Sequence, residues 1–134
     1  MSTAVSDSRM VRIGAWAALV AGAALMIKVA HIFVVDGDES TIQAVLYIGG
    51  ILLAIVAAAG VGARYGSSRA KKVALGFAAF VGFIFFLMML SDGVGAAISA
   101  VADVPEYVSD ETPIALAGLA WVLVGYKLRA SSIR

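Results

Sequence analysis

The sequence predicts an all-α membrane protein: four transmembrane helices in an up-down bundle, with both termini on the cytoplasmic side. Three observations predict it. Four long apolar stretches, separated by short charged segments, make up nearly all of the 134 residues. The chain is 62% hydrophobic and only 14% charged, with a mean hydropathy of +0.99, whereas a soluble domain is usually about half apolar and about a quarter charged. Its Lys and Arg sit at one set of helix ends and its Asp and Glu at the other. A soluble chain this short has too little interior to bury so much apolar surface. A bilayer removes the difficulty, because the lipid is itself the apolar solvent. The whole chain, residues 1–134, then reads as one transmembrane domain.

A helix needs about 20 apolar residues to cross a bilayer core. The first span covers residues 11–35 and the second 42–63. The third starts at Val73, runs to Asp92, and can continue to Ala102 with a bend near Gly93 and Gly95, since glycines are common sites of helix kinks. The fourth, 113–128, is the shortest. Thr112 is placed to cap its N-terminus, with Pro113 at the first helical position. Asp110 and Glu111 just ahead suit the positive end of the helix dipole. Arg9 and Arg12 before an apolar run also resemble a signal peptide. That run is too long before its first polar break, and Lys28-Val29-Ala30 is a poor cleavage site.

The connecting segments fix the orientation. Arg9 and Arg12 precede span one; Arg64, Arg69, Lys71 and Lys72 fill the loop between spans two and three; Lys127, Arg129 and Arg134 close the chain. The other two loops hold Asp36, Asp38 and Glu39, then Asp103, Glu106, Asp110 and Glu111, with no Lys or Arg. Lys and Arg in short loops mark the cytoplasmic side, so the chain is expected in the plasma membrane as a multi-pass protein with N-terminus and C-terminus inside. Tyr65 and Tyr126 fit an inner aromatic belt, Tyr47 and Tyr107 an outer one. The same charge plan, with Val61-Gly62-Ala63-Arg64 resembling Val124-Gly125-Tyr126-Lys127 at an offset of 63 residues, admits two parallel helical-hairpin repeats.

Lipid tails give helices no hydrophobic reason to associate, so close backbone approach matters. Span one carries Gly14, Ala18 and Gly22 at a spacing of four; span two carries Gly50, Ala54, Ala58 and Gly62 at the same spacing. These are the expected packing faces. Span three is bulky instead, with Phe77, Phe80, Phe83, Phe85, Phe86, Met88 and Met89. Two readings stand for it. It is a lipid-facing or gap-filling helix, or it is a surface for a partner's membrane helices or the wall of an apolar pocket.

Ionisable residues deep in a span are costly and mark candidate sites. Here they are Lys28, His31 and Asp92. Counted from the cytoplasmic ends, Lys28 lies about 25 Å, His31 about 30 Å and Asp92 about 28 Å into the membrane. Their common level predicts a Lys28–Asp92 ion pair with His31 hydrogen-bonding nearby. Such a pair would tie span one to span three, or serve a proton or ion relay. Alternatively Lys28 reaches outward to Asp36 and Asp38. The inner half of every span lacks a titratable group, which weighs against a path through the membrane.

Zero Cys excludes disulfides and thiolate metal sites. The single His has neither a neighbouring nucleophile nor a second His for a metal, so no enzyme, metal or cofactor is expected. Asp36, Asp38 and Glu39 lack the full calcium-loop spacing. Gly62-Ala63-Arg64-Tyr65 resembles four residues that open the chain of small fluoride channels, but here they end span two. Small multidrug transporters carry a Glu in their first span, and this first span has none. The partners expected are the lipid bilayer, anionic headgroups at Arg64, Arg69, Lys71 and Lys72, and other membrane subunits or further copies of the chain; nucleic acid has no support. The function expected is that of an accessory or structural subunit of a larger membrane assembly, or a homo-oligomer. The alternative is a small channel or transporter with its polar site at Lys28, His31 and Asp92.

Overall fold

The computed structural model describes the backbone of residues 2–35 and 40–133 and the side chains of residues 8–35 and 40–130. Helices α1 (Ser2–Val34), α2 (Thr41–Tyr65) and α3 (Arg69–Leu90) are followed by a π-helical turn (Ser91–Gly95), a short α4 (Ala96–Val101) and α5 (Glu106–Ile133). There is no strand among the described residues. Four stretches are long and apolar enough to cross a membrane: Ser8–Val34, Thr41–Tyr65, Arg69–Val101 and Glu106–Ala130.

Three of these match the expected spans within a few residues. The fourth begins seven residues earlier than expected, at Glu106 rather than Pro113. Pro113 is therefore inside the helix, not at its first position, and Thr112 is not its cap. The Thr112 hydroxyl instead donates to the Val108 carbonyl one turn back at 2.6 Å. Pro113 has no N–H to offer the Ser109 carbonyl. That carbonyl faces Gly95, where a Cβ would stand only 3.0 Å from it. Where a bend is expected, near Gly93 and Gly95, the helix has a π turn, in which one extra residue is taken into the helix.

Small residues set the packing. A Cβ on Gly14 would stand 2.5 Å from the Gly60 Cα, and one on Gly50 would stand 3.0 Å from the Leu25 side chain. Between α1 and α5, Gly22 sits on the Gly118 carbonyl, and a Cβ on Gly125 would stand 2.8 Å from the Ala15 carbonyl. Between α2 and α3, Gly62 sits against Lys72 and Gly76. In each pair, rising numbers on one helix meet falling numbers on the other. Gly14, Ala18, Gly22, Gly50, Ala54, Ala58 and Gly62 are all buried. The core they enclose is alanine-rich, with Leu25, Phe83 and Trp121 as its large members.

Helix α1 is the centre of the assembly, packed along both α2 and α5, while α3 packs on α2 and reaches α5 with its far end and the π turn. Among the described residues no Cα of α1 comes within 8 Å of a Cα of α3. The order around the bundle is thus α1, α2, α3, α5, with α1 and α3 on a diagonal. The two hairpins are unequal in packing: α1 lies along the length of α2, but α3 meets α5 over a short stretch. Only 11% of the most apolar window of the Arg69–Val101 stretch is buried, against 44% of that in α1. Phe77, Phe85, Met88 and Met89 are exposed, whereas Phe83 turns inward to meet Trp121 at 5.2 Å between ring centroids.

Candidate functional site

Along α1, Gly14, Ala18, Ala21, Leu25, Lys28 and Ile32 recur at alternating spacings of four and three and are all buried. This stripe carries Lys28 onto the face that packs on the neighbouring helices. Its side chain is 10% exposed and that of Glu111 7%. The Lys28 ammonium donates to both carboxylate oxygens of Glu111, each at 2.6 Å, and its Nζ lies 5.3 Å from the centre of the Tyr47 ring. Three helices therefore close on one charge: α1 supplies the cation, α5 the anion and α2 an aromatic face. Burial removes water from both ions, so each depends on the other for its stabilisation.

One turn further along α1, the Gln43 amide nitrogen donates to His31 Nδ1 at 2.6 Å. The other end of that amide accepts the Ser40 backbone N–H at 3.3 Å, which ties Gln43 to the start of α2. Gln43 is buried and Ser40 exposed.

The expected Lys28–Asp92 pair is not present. Lys28 pairs with Glu111, His31 pairs with Gln43, and Asp92 stands apart on the π turn, exposed. Equal depth did not make Lys28 and Asp92 neighbours, because α1 and α3 lie on the diagonal. Glu111, read as a loop residue, became the partner because α5 begins at Glu106. Asp92 lines a polar hollow of about 340 Å³ with Ser91, Ser99, Ser109 and Asp110. Within it the Ser99 hydroxyl donates to Ser109 at 2.9 Å, and Ser109 to the Glu106 carbonyl at 3.2 Å. Asp36, Asp38 and Glu39, considered as partners for Lys28 or a weak cation site, lie outside the described residues.

At the opposite end, the Lys72 ammonium donates to the carbonyls of Ala63 (3.1 Å) and Gly66 (2.9 Å). It caps the C-terminus of α2, whose last carbonyls have no helical donors. Arg64, Arg69 and Lys71 are exposed. The Arg129 guanidinium lies 4.8 Å from the Trp16 ring centre.

No family model matches the chain, and no curated protein or solved structure matches it. What the site can do is read from its chemistry alone. Among the described residues there is no group of three or more His, Cys, Asp or Glu that could hold a metal. The Lys28–Glu111 pair is electrically closed. It joins α1 to α5 directionally, through both carboxylate oxygens.

Two site residues, Glu111 and Gln43, were not singled out by the sequence reading. A signal for both was present. Extended by one heptad, the glycine stripe Gly125–Gly118 on α5 arrives at Glu111. The stripe Ala54–Gly50 on α2, carried on by a step of three and then one of four, arrives at Tyr47 and then Gln43.

Proposed function

We propose that the chain is an integral membrane protein of the plasma membrane, crossing it four times in up-down order with both termini in the cytoplasm. It acts without catalysis, as an accessory or structural subunit of a larger membrane assembly or as a homo-oligomer. The observation that carries this reading is the closure of the Lys28–Glu111 pair. The charges best placed for transport neutralise each other inside the bundle, and the His31 Nδ1 is taken up by Gln43. Meanwhile α3 turns large apolar side chains outward along most of its length, as a helix does that packs on lipid or on other membrane helices. The exposed Arg64, Arg69 and Lys71, with Lys72 behind them, suit anionic headgroups of the inner leaflet.

The polar hollow beside the π turn favours a second reading, a small channel or transporter using Asp92, since π turns often sit at functional sites. The two readings separate in one preparation. Extracted in mild detergent, a subunit runs as a stoichiometric complex larger than the 13.8 kDa chain and gives no ion flux when reconstituted alone in liposomes. A monomer that conducts by itself supports the second reading and contradicts the first.

A further inference from the structure

Between α2 and α3, at the end of the bundle that carries the basic loop, lies an open apolar groove of about 610 Å³. Its floor is made of small buried residues, Ala58 and Ala63 of α2 and Gly76 of α3. These let the two backbones come close: a Cβ on Gly76 would stand 3.3 Å from the Ala58 carbonyl. Larger neighbours stand up on either side, Ile55 from α2 and Phe77 from α3, both exposed. A long narrow trough is what close helices with small contact residues and bulky flanks produce. Arg69 and Lys72 border it at the loop end.

The trough has the dimensions of a lipid tail. From Arg69 to Phe80, which also lines it, the rise along α3 is about 16 Å. Half of a bilayer's hydrocarbon core is about 15 Å. One end is cationic and the rest apolar, the inverse of an anionic amphiphile. Arg69 is the exposed cation of the two, and a guanidinium matches a phosphate in planar, bidentate fashion. Lys72 adds positive charge while its ammonium holds the end of α2.

We propose that this groove holds one acyl chain of an anionic phospholipid, with the phosphate at Arg69. The inference rests on the membrane reading and on the headgroup contact of the basic loop, and it goes beyond both by placing a particular lipid in a particular trough. An ordinary boundary lipid would not distinguish headgroups there; this site does.

The test uses the full chain purified in mild detergent and native mass spectrometry. Phosphatidylglycerol, phosphatidylcholine with identical chains, and glycerol phosphate are added separately. The expected result is retention of phosphatidylglycerol about fivefold above phosphatidylcholine, the worth of one arginine near an anionic headgroup, and no retention of glycerol phosphate. Arg69→Gln should bring phosphatidylglycerol down to the phosphatidylcholine level. Ala59→Phe, on the exposed flank of the groove, should lower retention with Arg69 intact. Ile55→Trp, one turn along the same flank, repeats the filling should the first variant fold poorly.

Equal retention of the two lipids overturns the proposal, as does indifference to Arg69→Gln. Undiminished phosphatidylglycerol in both filled variants overturns the groove while leaving the headgroup contact of the loop standing. Retention of glycerol phosphate to the same extent makes the site one for free phosphate, and a lipid-free dimer puts a second copy in the trough; either overturns it. A chain that stays in solution without detergent contradicts the membrane reading itself, before any lipid is added.

Discussion

Lys28 and Glu111, 83 positions apart in the chain, meet in the buried seam between α1 and α5 with the ammonium nitrogen 2.6 Å from each carboxylate oxygen. The contact depends on α5 beginning at Glu106 and on glycines that let the two helices touch below it. Gly22 on Gly118 and Gly125 on Ala15 bring the backbones together, and Glu111 stands one heptad before Gly118 on the same face of α5. Packing and electrostatics thus act on one helix pair, and α2 covers the charge with the Tyr47 ring.

The seam glycines should reject side chains that other glycines accept. Gly22→Leu and Gly118→Leu push a side chain into the facing backbone, and the fully buried Ala54 and Ala58 should respond to Leu in the same way. Overpacking of this kind costs about 1–3 kcal/mol and more where backbone must move. Gly49 and Gly82 have open space at the Cβ position. Gly49→Ala and Gly82→Ala should be neutral or stabilising by up to about 1 kcal/mol, the helix propensity difference. Thermal unfolding midpoints compare the two groups, and no separation between them would contradict the packing described.

How much of this was legible in the sequence differs by level. The four apolar spans and the small-residue faces were legible because length and spacing alone carry them. Lys28, His31 and Asp92 were legible as polar residues in apolar surroundings, but their partners were not. Depth can be counted along a helix; adjacency around the bundle cannot, and it decides whether Lys28 meets Asp92 or Glu111. Pro113 misled as a helix start because proline is favoured at the first turn, yet here Thr112 and the helix before it continue through. The π turn at Ser91–Gly95 has no signal beyond its two glycines. The role of Lys72 as a cap on α2 needed the fold of the Gly66–Ser68 turn, which composition does not encode.

Trp121 is 4% exposed, and its indole nitrogen is the one buried side-chain polar atom without a hydrogen-bond partner among the described residues. An unsatisfied buried donor costs about 1–3 kcal/mol. Trp121→Phe removes it together with some volume, and the two effects should offset to within about 1 kcal/mol. Trp121→Ala removes the ring from Phe83 and should cost about 3–5 kcal/mol. Chemical unfolding of both variants checks this. A phenylalanine variant as unstable as the alanine one would show that the indole N–H is satisfied.

The proposed orientation predicts that a reporter active only outside the cytoplasm stays silent when fused after Arg134 and is active when inserted between Val35 and Ser40. Its basis is the absence of Lys and Arg from the acidic connections and their concentration in the others. Activity at the C-terminus would overturn the orientation, and with it the assignment of the basic loop to the inner leaflet.

The central claim is that, among the described residues, Glu111 is the group that neutralises the charge on Lys28, and the unfolding free energies of a double-mutant cycle test it most directly. Removing one partner of a buried pair costs about 3–5 kcal/mol in proteins generally, less here to the extent that a lone charge can snorkel to the interface. Lys28→Met and Glu111→Leu should each destabilise the protein, and the double variant should recover much of the loss, because no lone charge remains. The parallel cycle of Lys28→Met with Asp92→Leu should be additive to within about 0.5 kcal/mol. Additivity of Lys28 with Glu111, or strong coupling of Lys28 to Asp92, would contradict the account.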